Sequence, residues 1–208
     1  MTIVGAFDVH RRQLAFDYLD TVTGEVKRGR IAPADREHLS RWLTRFDRQD
    51  DVHFALEGCT GWRYVVEELL TAGIEPHLAE PADTAALRGR KRHAKTGKTD
   101  ARHLRVHLLA GDLPECWIPP AHVMEARAVV RLYMDLLDER GAWHQRIAAT
   151  LFDQGAPATG SAAKPDGRAA AEQVALSPAG RQAVETGLRQ IDRLSGARRP
   201  KAVPNSPC

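Results

Sequence analysis

The sequence predicts an α/β fold, in which helices flank a mixed sheet and a purely helical segment follows. Two patterns lead to this fold class. In residues 1–80, short apolar stretches alternate with helical periods after an initial run of strands, which is typical of a mixed sheet. Residues 100–195 carry helical periods only. With 43% hydrophobic and 27% charged residues in a chain of 208, the composition is that of a globular protein with a sizeable core.

Three strands open the chain. Residues 3–8 form a short apolar run that ends in a carboxylate, and residues 13–19 alternate apolar and polar positions. A turn at Thr23 and Gly24 leads into residues 25–28. This spacing predicts an antiparallel meander.

Helices and strands then alternate. Residues 33–46 have apolar positions at helical spacing, and residues 52–56 form a fourth strand that again ends before a carboxylate. Residues 65–70 supply the apolar face of a second helix. Residues 74–79 predict a fifth strand, which Pro81 ends.

The second half of the chain is predicted to be helical. A short helix over residues 100–109 is stopped by Gly111, and a long helical signal over residues 121–152 is interrupted only at Gly141. Ser177, followed by proline, marks the start of a last helix. The predicted organisation is a domain over 1–112, a long helix over 113–152, a flexible loop over 153–170, a second coiled-coil helix over 171–195 and an unstructured tail over 196–208.

The charge is asymmetric along the chain. The net charge is only +3, but one stretch contains eight basic residues and a single acid, Asp100. Either this stretch is a solvated basic face, or it contacts nucleic-acid phosphates, from which clustered cations displace counterions. We expect the second, with nucleic-acid contacts from Arg88, Arg90, Lys91, Arg92, Lys95, Lys98, Arg102 and Arg105.

The composition also excludes several classes of protein. Basic residues follow the first apolar stretch instead of preceding it, and no apolar run approaches about 18 residues, so we expect a cytoplasmic protein without a membrane partner. Cys59, Cys116 and Cys208 are far apart and lack CxxC spacing. This spacing indicates reduced, mostly inert thiols and neither a disulfide framework nor a zinc site.

Three carboxylates are candidates for metal-assisted chemistry. Asp8 and Glu57 each end a predicted strand, and Asp100 begins a helix. Carboxylates held together repel one another unless a cation compensates, and paired Mg²⁺ ions in such sites assist phosphoryl transfer. Acids at strand ends also serve as ordinary turn or capping residues, so spacing alone leaves both interpretations open.

Ordered motifs in the first 150 residues resemble the N-terminal half of the IS110 family of DEDD transposases. The motifs are GAFDVH at 5–10, EGCTGW at 57–62, KTGKTDARHL at 95–104 and WIP at 117–119. The resemblance implies an RNase H-like, RuvC-like domain, then a coiled-coil segment, then a domain with a serine nucleophile. It also implies a DNA recombinase that moves an insertion sequence, guided by an RNA that the element encodes, and a homo-oligomer formed through the helical segment.

The resemblance assigns Asp8, Glu57 and Asp100 as catalytic and metal-binding acids, with Mg²⁺ as the expected cofactor. The family's third acid lies three residues before the last one, where this sequence has Gly97. His10 and His103 lie near the acids in sequence and are weighed as ligands, although solvated or phosphate-facing histidines explain them as well.

Three functions stay open at this stage. The first is a C-terminally truncated, impaired transposase, since no serine-nucleophile motif follows and Ser177 and Ser195 do not replace it. The second is an inactive nucleic-acid-binding or dimerising module that regulates full-length transposase. The third is a nuclease or resolvase that uses Asp8, Glu57 and Asp100 directly.

Overall fold

The computed structural model describes residues 1–87, 97–156 and 165–196. The chain divides into two compact units, Met1–Ile118 and Pro119–Cys208. No helix in the described ranges is both long and apolar enough to cross a membrane.

The first unit is built on a five-stranded mixed sheet, which confirms the predicted fold class. The first three strands form an antiparallel meander, and the last two lie parallel to the first strand on its other side, in the order β3-β2-β1-β4-β5. The strands are β1 Ile3–Val9, β2 Leu14–Asp20, β3 Val26–Ile31, β4 Val52–Glu57 and β5 Glu75–Ala79.

Four α-helices of the first unit are described: α1 Arg36–Leu43, α2 Trp62–Thr71, α3 Pro81–Leu87 and α4 Gly97–Ala110. A 3₁₀ turn at Thr44–Phe46 extends α1. The α1 helix begins where the Asp35 side chain accepts a hydrogen bond from the His38 amide at 2.9 Å. Pro81 follows the fifth strand, as predicted, and also begins α3, because proline suits the first position of a helix.

An aromatic cluster fills one face of the sheet. Phe7 stacks on Phe54 with ring centroids 4.9 Å apart, and Trp42 of α1 meets the edge of Phe7 at 5.5 Å. Trp42 is accordingly buried, with only 8% of its surface exposed. Gly5 makes room for this packing, because a Cβ atom there would lie 2.3 Å from the Phe54 ring. We call this cluster the aromatic core; Leu39, Leu43, Val65, Val66 and Leu69 of α1 and α2 complete it.

The opposite face of the sheet is covered by α4. Val4 and Ala6 of β1 and Ala55 of β4 pack there against Leu104 and Leu108 of the helix. Successive side chains of a strand point to opposite faces, so β1 contributes alternately to the aromatic core and to this second layer. We call the latter the α4 face.

The second unit pairs two antiparallel helices, α5 Ala121–Asp153 and α7 Pro178–Gly196. Gly187 lets them approach closely, because a Cβ atom there would lie 2.7 Å from the Ile147 side chain. The Gly180 amide donates to Ser177 Oγ at 3.1 Å, which confirms the predicted cap. The buried positions along this contact are Ile147, Leu151, Val184, Leu188 and Ile191.

Two features of this unit differ from the sequence expectation. The long helix continues through Gly141, since one glycine costs a helix only about 1 kcal/mol. An additional helix, α6 Pro165–Gln173, crosses the end of the predicted loop, and Ala171 is fully buried against the helix pair. An alanine-rich run that follows a proline favours a helix, whereas its small residues had indicated a loop. Residues 157–164 of the predicted loop and 197–208 of the predicted tail lie outside the described residues.

Candidate functional site

Two of the predicted acids lie side by side at one edge of the sheet. Strands β1 and β4 pair in parallel, with Phe7 opposite Leu56 as the last paired position. Asp8 and Glu57 follow directly, so they occupy neighbouring places on strands about 4.8 Å apart. Phe7 and Leu56 point into the aromatic core, and Asp8 and Glu57 therefore lie on the α4 face.

The third predicted acid lies on the helix that covers this face. Asp100 is in the first turn of α4, directly before the fully buried Ala101. The structure thus joins Asp8 and Glu57 at the sheet edge and places Asp100 on the adjoining layer. Within residues 1–87, 97–156 and 165–196, no three His, Cys, Asp or Glu side chains lie close enough to hold a metal ion together.

His10 lies over the Asp8 carboxylate. Its Nε2 atom is 2.9 Å from Asp8 Oδ2, and the imidazole is 57% exposed whereas the Asp8 side chain is only 17% exposed. His103 packs edge-on against His107, with ring centroids 4.3 Å apart. The contact with His10 orients the Asp8 carboxylate. Metal binding by His10 or His103 stays a prediction.

A tight turn fixes the position of Glu57. The Gly58 amide donates to the Ala79 carbonyl at 3.0 Å, and the Cys59 amide donates back to the Glu57 carbonyl at 2.8 Å. Gly61 then takes a φ of +99°, a conformation that favours glycine, and begins α2. Glu57 is consequently held at the edge of the sheet by its own backbone.

Cys59 lies next to the acid pair. Its Sγ atom is 3.9 Å from the Val9 carbonyl oxygen. Burial raises the pKa of this thiol, and the negative charges of Glu57 and Asp8 raise it further. The sequence prediction of an inert thiol missed this proximity, although a position two residues after a site acid could have indicated it.

Arg105 requires a correction. The sequence predicts it as a nucleic-acid contact, but it is only 6% exposed, and its guanidinium bonds to the fully buried Asp17 of β2. Arg28 of β3 bonds to the other carboxylate oxygen of Asp17. Because two arginines share one buried carboxylate, Arg105 anchors α4 to the sheet and is not available to a phosphate.

The other members of the basic stretch are distributed differently. Arg102 is exposed on α4. Lys98 belongs to the first turn of that helix, but its side chain lies outside the description. Five further predicted contacts lie outside the described residues, and their nucleic-acid role stays a prediction: Arg88, Arg90, Lys91, Arg92 and Lys95.

The donor atoms of the acid pair suit a hard divalent cation. Mg²⁺ prefers carboxylate oxygens in proteins, and Asp8 and Glu57 supply them from adjacent strands. Gly97, the first residue of α4, supplies no side-chain oxygen. Asp8 and Glu57 therefore suit a divalent cation, although the site offers fewer carboxylates than the resemblance implies.

A comparison with protein families finds a match over most of the chain. The model of the DEDD transposases of the IS110 type, described as a transposase, matches residues 6–154. Members of that family generally use a divalent metal ion and bind DNA. A comparison with curated proteins finds no match.

The anchoring role of Arg105 predicts a difference between two arginines of α4. Replacing Arg105 with Met should lower the free energy of unfolding by about 3 kcal/mol, because Asp17 stays buried with one cation fewer. Arg102→Met should change it by less than about 0.5 kcal/mol, since that side chain is exposed. Urea unfolding followed by tryptophan fluorescence measures both, and equal effects would contradict the assignment.

The thiol of Cys59 provides a probe of the acid pair. In a Cys116→Ser, Cys208→Ser background, Glu57→Gln should speed alkylation of Cys59 at pH 8 about threefold or more. Removing the neighbouring negative charge lowers the pKa of the thiol and so increases the thiolate fraction. Glu75→Gln, at the other end of β5, is the matched control and should leave the rate unchanged. An unchanged rate in Glu57→Gln would show that the acid and the thiol are not coupled.

Proposed function

The chain belongs to the IS110 family of DEDD transposases, and on that premise we propose that it acts on DNA phosphodiesters by metal-assisted chemistry during transposition or recombination of an insertion sequence. The observation that carries this proposal is the acid pair. Asp8 and Glu57 stand next to each other at the ends of adjoining parallel strands. Two adjacent carboxylates cost stability unless they bind a cation.

The sheet supports the finer inference of an RNase H-like, RuvC-like fold. A three-stranded antiparallel meander is extended beyond β1 by two parallel strands. The helix with the last acid then covers the face on which the first two lie. On this inference, Asp8, Glu57 and Asp100 belong to one site that combines two strands and a helix.

Asp8 and Glu57 would hold Mg²⁺, whereas Asp100, on the adjoining layer, does not form a three-acid cluster with them in this structure. The bound ion would supply charge neutralisation at the phosphodiester and activation of the attacking oxygen. His10, 2.9 Å from the Asp8 carboxylate, would fix the orientation of that ligand. Partial burial of Asp8 favours the cation further, because fewer waters compete for the carboxylate.

We propose that this activity is impaired, and the reason is Gly97 rather than the length of the chain. An acid at this position would lie one helical turn before Asp100, on the same side of α4. Glycine removes one negative charge and one pair of oxygens from the site. A weaker metal site, held by Asp8 and Glu57, follows.

DNA is the proposed substrate, contacted in part through the basic stretch between Arg88 and Arg102. That stretch leads directly into the first turn of α4, and Asp100 lies within it. Phosphate contacts there would bring a DNA strand close to the acid. Guidance by an element-encoded RNA is implied by the resemblance and stays a prediction.

The first test restores the missing acid. Gly97→Asp should increase Mg²⁺-dependent cleavage of a labelled DNA four-way junction and lower the half-saturating Mg²⁺ concentration, each about fivefold, because a fourth carboxylate attracts the ion. Glu57→Gln should reduce cleavage at least about 100-fold. Gly97→Ala is the matched control, since it improves the helix without adding an oxygen.

The outcomes separate two functions. Cleavage that Glu57→Gln abolishes supports the metal-assisted enzyme. Retention of the junction without cleavage, in the wild type and in Gly97→Asp, would contradict it. That result would favour the second candidate, an inactive nucleic-acid-binding or dimerising module that regulates full-length transposase, which the loss of the acid at Gly97 also suggests.

We also propose a homo-oligomer formed through the helical segment. The helix α5 is 33 residues long, whereas α7 has 19 residues and packs against the C-terminal part of α5. Apolar side chains of the N-terminal part are exposed, among them Val129 at 67% and Tyr133 at 46%. Val129 and Tyr133 lie on the same side of α5 as the buried Ile147, at the spacing of three to four residues that is typical of a coiled coil. This pattern favours a second copy of the chain as the partner of the exposed apolar face.

Acidic residues on this face should therefore separate the copies. Val129→Glu with Tyr133→Glu should raise the dissociation constant of self-association at least about tenfold, measured by analytical ultracentrifugation, because two apolar contacts are lost. Ala128→Glu with Gln145→Glu adds the same charge to α5 at other exposed positions and should have little effect. A monomeric wild type, or equal weakening in both double variants, would contradict the proposal.

A further inference from the structure

An arginine shares a row of the sheet with the acid pair. Asp8 of β1 is paired with Ala15 of β2, and Ala15 is paired with Arg30 of β3. On the other side of β1, the neighbour of Asp8 is Glu57 of β4. The row across the sheet therefore reads Arg30, Ala15, Asp8, Glu57, with about 10 Å between the backbones of β3 and β1.

Arg30 points to the same face as the acids. Asp17 lies on the α4 face, since it bonds to Arg105 of α4, and its partner on β3 is Arg28. Arg30 is two residues further along the same strand, so it lies on the same face as Arg28. Ala15, the residue between Arg30 and Asp8 in this row, is only 1% exposed, whereas Arg30 itself is exposed on β3.

Two more arginines lie at the same edge. Arg11 and Arg12 form the hairpin turn between β1 and β2, closed by hydrogen bonds between the backbones of His10 and Gln13 at 3.1 and 3.3 Å. The turn begins two residues after Asp8. Both arginines are exposed, as is Arg30.

Among the described residues, Arg11, Arg12 and Arg30 have no acidic partner, whereas several other arginines of the first unit do. Arg28, Arg36, Arg41 and Arg63 all form ion pairs with carboxylates. Three unpaired cations beside two carboxylates form a region that would accept an anion together with a divalent cation. A phosphodiester is such an anion, and it binds arginine through charge-assisted hydrogen bonds.

We propose that Arg30, Arg11 and Arg12 hold the DNA backbone so that a phosphodiester lies beside Asp8 and Glu57. The inference rests on the proposed function and adds substrate-positioning residues that are far from the basic stretch in sequence. Arg30 would contact the phosphate on the β3 side of the acids. The hairpin turn would contact the strand beyond the edge of the sheet.

The test compares Arg30 with an arginine at the opposite edge. Arg48 is exposed, has no ion pair within the described part of the chain, and lies four residues before β4 begins, whereas the acids lie where β1 and β4 end. Binding of a labelled 30-base-pair DNA is measured by fluorescence anisotropy in EDTA over a range of salt concentrations. Arg30→Gln should weaken binding several-fold and reduce the slope of log K against log salt by about 0.9, the value for one phosphate contact.

Arg11→Gln with Arg12→Gln should reduce the slope by about 1 to 2. Arg48→Gln removes the same charge as Arg30→Gln and should leave the slope unchanged. Thermal unfolding of all variants should match the wild type, since none of the four arginines makes an ion pair with another described residue. Equal slopes in Arg30→Gln and Arg48→Gln, with DNA still bound by the wild type, would overturn this inference alone.

A double-mutant cycle tests whether the phosphate lies beside the acids. In EDTA, Asp8→Asn should tighten DNA binding, because it removes a negative charge that repels the phosphate. The effects of Asp8→Asn and Arg30→Gln should be non-additive, whereas those of Asp8→Asn and Arg48→Gln should add. Additive effects for both pairs of variants would contradict the proposed position of the phosphate beside Asp8 and Glu57. A wild type that binds no DNA would overturn the proposed function as well.

Discussion

The in-register parallel pairing of β1 with β4 is the constraint on which the rest of the first unit depends. Because of this register, paired side chains of the two strands point to the same face of the sheet, and Phe7 and Leu56 both enter the aromatic core. The same register brings Asp8 and Glu57 to the α4 face at one edge. A shift of one residue in either strand would bury one carboxylate among aromatic rings and separate the pair.

The buried contact between Asp17 and Arg105 joins the second layer to this sheet. Its desolvation is costly, and hydrophobic side chains of similar size could stabilise the interface equally well. What the charged contact adds is specificity, because a guanidinium on α4 must meet one carboxylate on β2. The contact therefore fixes both the position of α4 along its axis and its rotation about that axis. Since Asp100 lies five residues before Arg105, its position depends on the same contact.

The sequence predicted the strands, most of the helices and the acid pair, because these follow from local patterns. Alternation and terminal carboxylates are visible along a single strand. The role of Arg105 could not be predicted in this way, because its partner lies 88 residues away in sequence. Nothing local separates a buried arginine from exposed ones in a basic stretch. The sequence gives no local sign of Arg30 either, because this arginine stands outside the basic stretch and only strand pairing brings it into the row of Asp8.

The charges at the sheet edge are arranged in a way that stability alone does not explain. Two carboxylates at neighbouring places on adjacent strands repel each other unless positive charge compensates them. Arginines near the edge could relieve this repulsion by pairing with the acids. Instead, Asp8 pairs with His10, while Arg11, Arg12 and Arg30 have no acidic partner among the described residues.

A fold selected only for stability would neutralise these charges internally or replace them. Separated cations and anions at one edge retain their capacity to bind ions of opposite sign, and a divalent cation with a phosphodiester would satisfy both sets at once. On the proposed function, Gly97 would weaken only the anionic half of this arrangement, because glycine supplies no carboxylate where the resemblance implies one and Arg11, Arg12 and Arg30 are unaffected. The proposal therefore predicts that the glycine impairs catalysis more than DNA binding.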